Sequence, residues 1–216
     1  MKTVALLSGG IDSTVMAWKL HSEGHTIVPI TFLTYRRNPR EVEAVKKIAG
    51  LISQNPLRIV DMSFLREIVD HPQHVRETIM HAAANLPTVV IPYRNMLFYS
   101  AAAHVACLEE ANNVAGGHTF EDVVTIPDVG HDFFRQLESL LHRSMPHIQL
   151  RILAPLMELR KVDVLRLGFE LGAPLDLTWS CWSILDKHCG KCPGCLARKE
   201  SFKLAGIRDE TDYAEG

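Results

Sequence analysis

Hydrophobic residues are spaced along the chain in two alternating patterns. Short runs of β-branched and other apolar residues predict strands, and segments with apolar residues three or four positions apart predict helices. The predicted strands cover residues 4–7, 26–32, 57–60, 113–115 and 150–154, and the predicted helices cover residues 13–20, 40–52, 95–111, 131–143 and 162–171. This alternation predicts an α/β fold, a Rossmann-like parallel sheet with helices on both faces.

The pattern changes near residue 175. Residues 64–86 still fit either a helix or a loop, and residues 116–128 are predicted to form a loop. From Trp179 onward, a cysteine-rich stretch is followed by a predicted helix over residues 196–204 and a polar, acidic tail. We therefore divide the chain into an α/β domain, residues 1–175, and a C-terminal segment, residues 176–216, which differs in chemistry more than it forms a separable domain.

Composition narrows the class of protein. The chain has 216 residues, of which 47% are hydrophobic, enough for one sizeable core. Its formal net charge of -2 gives no global basic field, so a small-molecule substrate is expected rather than a nucleic acid. The apolar run Val4–Leu7 is too short for a signal peptide or a membrane span. We expect a cytoplasmic protein without a membrane partner.

A glycine-rich loop follows the first predicted strand and precedes the first predicted helix. It comprises Leu7, Ser8, Gly9, Gly10, Ile11, Asp12 and Ser13. Backbone N–H groups and the positive end of a helix favour an anion there, and Asp12 is placed to hold Mg²⁺ between phosphates. The loop lacks the Gly-Lys-Ser/Thr of a Walker motif. The alternative is a structural turn in which Asp12 and Ser13 only cap a helix.

Four of the five cysteines lie close together in the C-terminal segment. Cys181, Cys189, Cys192 and Cys195 form a C-x7-C-x2-C-x2-C pattern that suits a closed, tetrahedral and therefore structural Zn²⁺ site. Two disulfides, a redox-active pair and an iron–sulfur cluster are the alternatives. Cys107 lies in an apolar predicted helix and is expected to be a small buried hydrophobe.

Several motifs together resemble one known family. They are the Ser-Gly-Gly-Ile-Asp-Ser loop, Tyr93-Arg94-Asn95, Ala154-Pro155-Leu156 with Lys161 after it, and Leu175 to Cys181 leading into the cysteine cluster. The first resembles the phosphate loop of pyrophosphatase-loop enzymes, which split ATP to AMP and pyrophosphate. The whole set is similar to the 7-cyano-7-deazaguanine synthases of the queuosine pathway, and the cysteine stretch is its most specific part.

The resemblance implies an ATP-dependent ligase that converts 7-carboxy-7-deazaguanine and ammonia to the nitrile by adenylating the carboxylate and then the amide. Its cofactors would be ATP, Mg²⁺ and Zn²⁺, and family members are often homodimers. Asp12, Ser13 and Lys161 would be catalytic, and Arg94 and Asn95 would bind nucleotide with the loop, although Arg94 can also be a solvated charge. The residues implied to bind the substrate are Glu121, Asp122, Asp128 and Phe133, although an acidic loop can also be merely solvated.

Departures from the family pattern keep other acceptors open. Residues 34–38 replace the family's Tyr-Gly-Gln-Arg-His, and Thr119 and Gly130 replace an Asn and an Arg. A diverged enzyme would activate the same acid but conjugate it to a protein or nucleic-acid amine. A related amidotransferase or thiolase is disfavoured because a glutaminase half is lacking. In a different class, the cysteine segment would bind nucleic acid through Lys187, His188, Lys191, Arg198 and Lys199.

Overall fold

The computed structural model describes residues 1–34, 37–64 and 93–214, and strands and helices alternate through them. The strands are β1 (Lys2–Leu6), β2 (Thr26–Leu33), β3 (Arg58–Asp61), β4 (Asn113–Ala115) and β5 (Arg151–Leu153). The helices are α1 (Ile11–Ser22), α2 (Pro39–Ile52), α3 (Arg94–Leu108), α4 (Phe120–Thr125), α5 (His131–Ser144), α6 (Lys161–Glu170) and α7 (Pro193–Ala205). The predicted α/β class is confirmed.

The five strands form one parallel sheet in the order β3-β2-β1-β4-β5. Val4 in the central strand lies opposite Val28 of β2 and Val114 of β4. The chain builds outward from β1 to β3 and then crosses to the other side of β1. A crevice therefore opens between the carboxyl ends of β1 and β4, the position at which open α/β sheets bind their ligands.

Helices cover both faces of the sheet because the strands are apolar on both sides. Neighbouring residues of a strand face opposite sides, and Val4 and Ala5 accordingly belong to two separate hydrophobic clusters. Ala5 packs in the cluster that includes Val15 of α1, Val45 of α2 and Val164 of α6. Val4 packs in the cluster formed with α3 and α5. This double burial explains why residues 4–7 form a continuous apolar run.

The structure differs from the sequence-based predictions at Cys107 and within residues 116–128. Cys107 is exposed, so the prediction that it is buried was wrong. The buried face of α3 is formed by Tyr99, Ala102 and Ala106, and the next residue points away from it. Residues 116–128 do not form only a loop, because they contain the short helix α4. The prediction for residues 64–86 lies, beyond Phe64, outside the described residues.

A buried arginine of α7 fixes the chain at the boundary between the α/β domain and the C-terminal segment. The Arg198 side chain is 2% exposed and donates to the Thr178 hydroxyl at 2.7 Å and the Leu175 carbonyl at 2.8 Å. The tail folds back as well, since the Ala214 N–H donates to the His188 carbonyl at 2.8 Å. None of the helices in the described parts of the chain is long and apolar enough to cross a membrane.

Candidate active site and metal centre

The glycine-rich loop joins β1 to α1 at the carboxyl edge of the sheet. Gly9 has a φ of +84°, and a Cβ there would lie 2.6 Å from the Glu41 carbonyl oxygen. Gly24 has almost the same φ, +85°, but open space around it. Gly9 is therefore required both for its backbone conformation and for the close approach of α2.

Hydroxyl groups fix the shape of this loop. The Ser13 hydroxyl donates to the Gly10 carbonyl at 3.1 Å and accepts from the Ser8 N–H at 3.1 Å, and the two serine hydroxyls are 2.9 Å apart. The N-cap of α1 is Gly10, which has no side chain to satisfy the N–H groups of the first turn. The positive end of α1 therefore faces the crevice and suits an anion such as phosphate.

Asp12 and Lys161 meet at the mouth of this loop. The Lys161 ammonium forms an ion pair with Oδ2 of Asp12, while Oδ1 is buried without a hydrogen-bond partner among the described residues. Burial raises the pKa of Asp12, with Lys161 opposing it. Burial acts to lower the pKa of Lys161, but the carboxylates of Asp12, Asp122 and Glu121 together raise it, so the ammonium stays charged. A partnerless carboxylate oxygen fits a hard cation such as Mg²⁺.

The loop after β4 closes the other side of the crevice. A Cβ at Gly117 would lie 2.7 Å from the backbone of Asp12, so the two loops are in direct contact. The Lys161 N–H donates to the Glu121 carboxylate at 3.2 Å and joins the start of α6 to α4. The structure thus brings together the three residues predicted to be catalytic, and it places Glu121 beside them.

The remaining predicted site residues lie around this crevice. The backbone N–H and the side-chain amide of Asn95 donate to the two oxygens of Asp128, at 3.1 and 2.9 Å. Arg94 is half-buried at the start of α3. Phe133 is half-buried and packs edge-on against Phe134 with 5.6 Å between the ring centroids. Asn95 thus positions Asp128, and the contacts of these residues with substrate stay predictions.

Three of the departures from the family pattern are helix N-caps, namely Asn38, Thr119 and Gly130. Asn38 caps α2 by accepting from the Arg40 N–H at 3.0 Å. Thr119 caps α4 in a capping box, in which the Asp122 carboxylate accepts from the Thr119 N–H at 2.9 Å. Gly130 caps α5 with a φ of +147°, which a side chain would strain. Asn38, Thr119 and Gly130 therefore each have a structural role.

Two residues near the phosphate loop, Arg37 and Glu41, were not identified from the sequence. An Arg37 guanidinium nitrogen donates to the Ser8 carbonyl, and its Nε lies 3.1 Å from the Glu41 carboxylate. Burial lowers the pKa of Arg37, and Glu41 opposes this. Arg37 directly precedes Asn38, the N-cap of the helix that follows β2, and this position is the signal that could have revealed it. Tyr35 and Arg36 lie outside the described residues.

A third unidentified contribution comes from the contact of His118, after β4, with Tyr99 of α3. Nε2 of His118 lies 2.9 Å from the hydroxyl of Tyr99, which is fully buried. The sequence alone assigned no role to His118. Its place after two glycines, at the end of a predicted strand, was the available signal.

The four cysteines predicted to bind metal come together. Their sulfur atoms all lie within 4.8 Å of one another, and the pairs Cys189–Cys195 and Cys181–Cys192 are 3.9 Å apart. A tetrahedral site with Zn–S bonds of about 2.3 Å has sulfur atoms about 3.8 Å apart. All four cysteines are free, which does not favour the disulfide alternative. The space suits a single ion rather than a multinuclear cluster.

Backbone N–H groups donate hydrogen bonds to the cysteine sulfur atoms. The N–H groups of Ser183 and Cys189 both donate to the Cys181 sulfur at 3.3 Å. The N–H of Lys191 and other donors lower the pKa of the Cys189 thiol to about 6, whereas burial raises the pKa of Cys195 to about 12. A bound cation would favour the thiolate of both. The donor set therefore fits a structural metal.

Basic side chains around the cysteines have partners within the segment. Lys187 pairs with Asp212 at 2.7 Å, and the ammonium of Lys199 lies 4.3 Å from the Tyr213 ring centroid. His188 is buried against Trp179. With Arg198 also buried, most of the basic residues proposed for nucleic-acid binding serve internal contacts. This arrangement does not favour the nucleic-acid alternative.

The metal segment also touches the phosphate loop. The backbone N–H of Trp179 donates to the Gly9 carbonyl at 2.8 Å. The side-chain amide of Asn38 donates to the carbonyls of Cys181 and Ser183, at 3.2 and 3.1 Å. The cysteine cluster therefore supports the loop that faces the crevice.

Comparison with known sequences places the chain in one group. The family model described as "Queuosine biosynthesis protein QueC" matches residues 2–206. The 7-cyano-7-deazaguanine synthase of a Nitratiruptor species is 34% identical over 220 residues, which cover 99% of each protein. The 7-cyano-7-deazaguanine synthase of Caldicellulosiruptor bescii is 33% identical over 217 residues, which cover 99% of the chain and 97% of the relative.

Solved structures share the fold at lower identity. A predicted subunit of tRNA methyltransferase from Methanocaldococcus jannaschii aligns with a TM-score of 0.56 and 20% identity, over 79% of the chain and 75% of that protein. A 4-thiouridine synthetase, solved with RNA and bound ATP, aligns with a TM-score of 0.54 and 20% identity, over 95% of the chain and 50% of that protein. Both likenesses show the fold alone.

Proposed function

The chain belongs to the QueC family of queuosine biosynthesis proteins, and on this premise we propose that it is an ATP-dependent ligase that converts 7-carboxy-7-deazaguanine and ammonia to 7-cyano-7-deazaguanine. One observation carries this proposal. The chain matches a relative of that activity over 99% of both lengths at 34% identity. The crevice with its phosphate loop and the Asp12–Lys161 pair supplies the chemistry that such a ligase requires.

The phosphate loop would hold ATP for attack by the substrate carboxylate. A carboxylate is a poor electrophile. When its oxygen attacks the α-phosphorus of ATP, pyrophosphate leaves, and the resulting acyl adenylate carries AMP as a good leaving group. The N-terminal turn of α1 would accept phosphate oxygens, and the Lys161 ammonium would neutralise charge that develops on pyrophosphate. When bound, Mg²⁺ would add charge neutralisation, and the partnerless Oδ1 of Asp12 would be its ligand.

The four thiolates would hold Zn²⁺ in a closed site with a structural role. Four sulfur ligands leave no open position for water, so hydrolytic chemistry is not expected there. The segment contacts the phosphate loop, because the backbone N–H of Trp179 donates to the Gly9 carbonyl. The ion would act through this contact. It would keep the phosphate loop in place rather than take part in the reaction.

Carboxylates on the β4 side of the crevice would bind the base. Asp128 is held in one orientation by both donors of Asn95, and its oxygens retain further acceptor capacity. A carboxylate in this position suits the N–H donors of a guanine-like edge. Glu121 and Asp122 have backbone partners, so they would act as supports in addition to any contact with substrate.

A product analysis tests the proposal. Purified metal-loaded protein is incubated with magnesium ATP, ammonium and 7-carboxy-7-deazaguanine, and the base is followed by mass spectrometry. We expect the nitrile to appear together with AMP and pyrophosphate. An adenylated or amide product that never proceeds to nitrile would contradict the synthase function and favour a conjugating enzyme with another acceptor amine.

A further inference from the structure

The His118–Tyr99 pair lies at the carboxyl end of β4, beside the site. The proposed function assigns it no role. A Cβ on Gly116 would lie 1.9 Å from the Tyr99 hydroxyl, so the pair packs directly against the loop. The following residue, Gly117, contacts the backbone of Asp12. The imidazole is therefore fixed to the same loop that closes the crevice against the phosphate loop.

The surroundings of Tyr99 determine which nitrogen of His118 carries the proton. Tyr99 is fully buried, and among the described residues its hydroxyl has a single hydrogen-bond partner, Nε2 of His118. Burial and Asp128 raise the pKa of Tyr99, so the hydroxyl keeps its proton and must donate it. Nε2 is then the acceptor, and a neutral imidazole carries its hydrogen on Nδ1.

The neutral form of His118 is favoured by its surroundings. Burial lowers the pKa of the imidazole and Arg94 adds to this, while Asp122 and Asp128 oppose them. The imidazole is half-buried, and no described side chain accepts from Nδ1. His118 thus presents an uncommitted N–H donor on the loop that closes the crevice, and the proposed function requires the carboxyl group of the base to lie in that crevice beside ATP.

Resting on the proposed function, we infer that Nδ1–H of His118 donates to the acyl oxygen of the adenylated substrate and stabilises the oxyanion formed when ammonia adds. In this step a C–N bond forms as the C=O electron pair moves to oxygen. The pair then returns, the C–O bond to AMP breaks, and a nitrogen proton passes to water. Tyr99 is a positioning residue, because it acts only through Nε2.

The test compares two half-reactions in the His118→Leu variant of the full, metal-loaded chain. Adenylation is measured as the exchange of labelled pyrophosphate into ATP that depends on 7-carboxy-7-deazaguanine. Amide formation is measured in a single turnover with ammonium. Because loss of one oxyanion donor slows a reaction about 100-fold to 1000-fold, we expect amide formation to fall at least about 30-fold more than exchange. His118→Asn restores an N–H donor and should recover most of that difference.

Two further variants complete the test. Tyr99→Phe removes the hydroxyl that orients the imidazole, and it should lower amide formation more than exchange, to a smaller extent than His118→Leu. His104→Leu, at an exposed position of the same helix as Tyr99, should change neither. Equal losses in both half-reactions, or no rescue by Asn, would overturn the inference alone. Failure of the unmodified protein to form the amide would overturn the proposed function with it.

Discussion

The Asp12→Ala substitution is expected to lower the rate at which pyrophosphate exchanges into ATP in the presence of 7-carboxy-7-deazaguanine by at least about 1000-fold. The change removes two interactions at once: the partnerless oxygen that suits Mg²⁺ and the partner of the Lys161 ammonium. Single groups that stabilise transition-state charge are each worth about 100-fold to 1000-fold. Asp12→Asn keeps the size of the side chain and should lose nearly as much, because the charge is what matters.

Asp132→Ala is the matched control for this prediction. Asp132 also lies in the first turn of a helix and pairs with a basic residue, Arg135, but its side chain is 82% exposed. We expect normal exchange from this variant. If Asp12→Ala retained a tenth of the normal rate, the crevice between β1 and β4 would not be where ATP is activated.

The Cys195→Ser substitution is expected to abolish metal binding and destabilise the chain. The unmodified protein should carry one zinc ion per chain by elemental analysis, and the variant less than a tenth of that. Structural zinc is worth about 10–16 kcal/mol in isolated finger peptides. If only about 4 kcal/mol of that is lost here, Tm falls by about 8–16 °C for a chain of this size. Scanning calorimetry measures this loss.

Cys107→Ser controls for the loss of a thiol as such. Cys107 is exposed on α3 and outside the cluster, so its replacement should leave both the zinc content and the Tm unchanged. A Cys195→Ser protein that kept its metal would contradict the four-ligand site. Iron or sulfide in the unmodified protein would replace the zinc assignment with an iron–sulfur one.

The fold could be predicted from the sequence because its strands are short apolar runs and its helices have clear periodicity. The strand Asn113–Ala115 was located in this way although it has only three residues. The cysteine cluster was equally accessible, because four cysteines at this spacing are typical of metal sites. In each case, local spacing alone carried the information.

What the sequence did not reveal depends on contacts between distant segments. His118 is defined by Tyr99, 19 positions away along the chain, and Arg37 by its bond to Ser8, 29 positions away. Neither spacing is periodic, so a pattern search does not find them. Cys107 shows the opposite error, since an apolar segment of sequence does not say which face of a helix is buried.

The proposed function makes a claim about the substrate's oxygen atoms that isotope labelling can test. The claim is that the carboxylate and then the amide oxygen attack ATP, so each oxygen should leave with AMP. With 7-carboxy-7-deazaguanine carrying ¹⁸O at both carboxyl positions, mass spectrometry should find two labelled AMP molecules for each nitrile and unlabelled pyrophosphate. Label in pyrophosphate or in water, with none in AMP, would contradict the account.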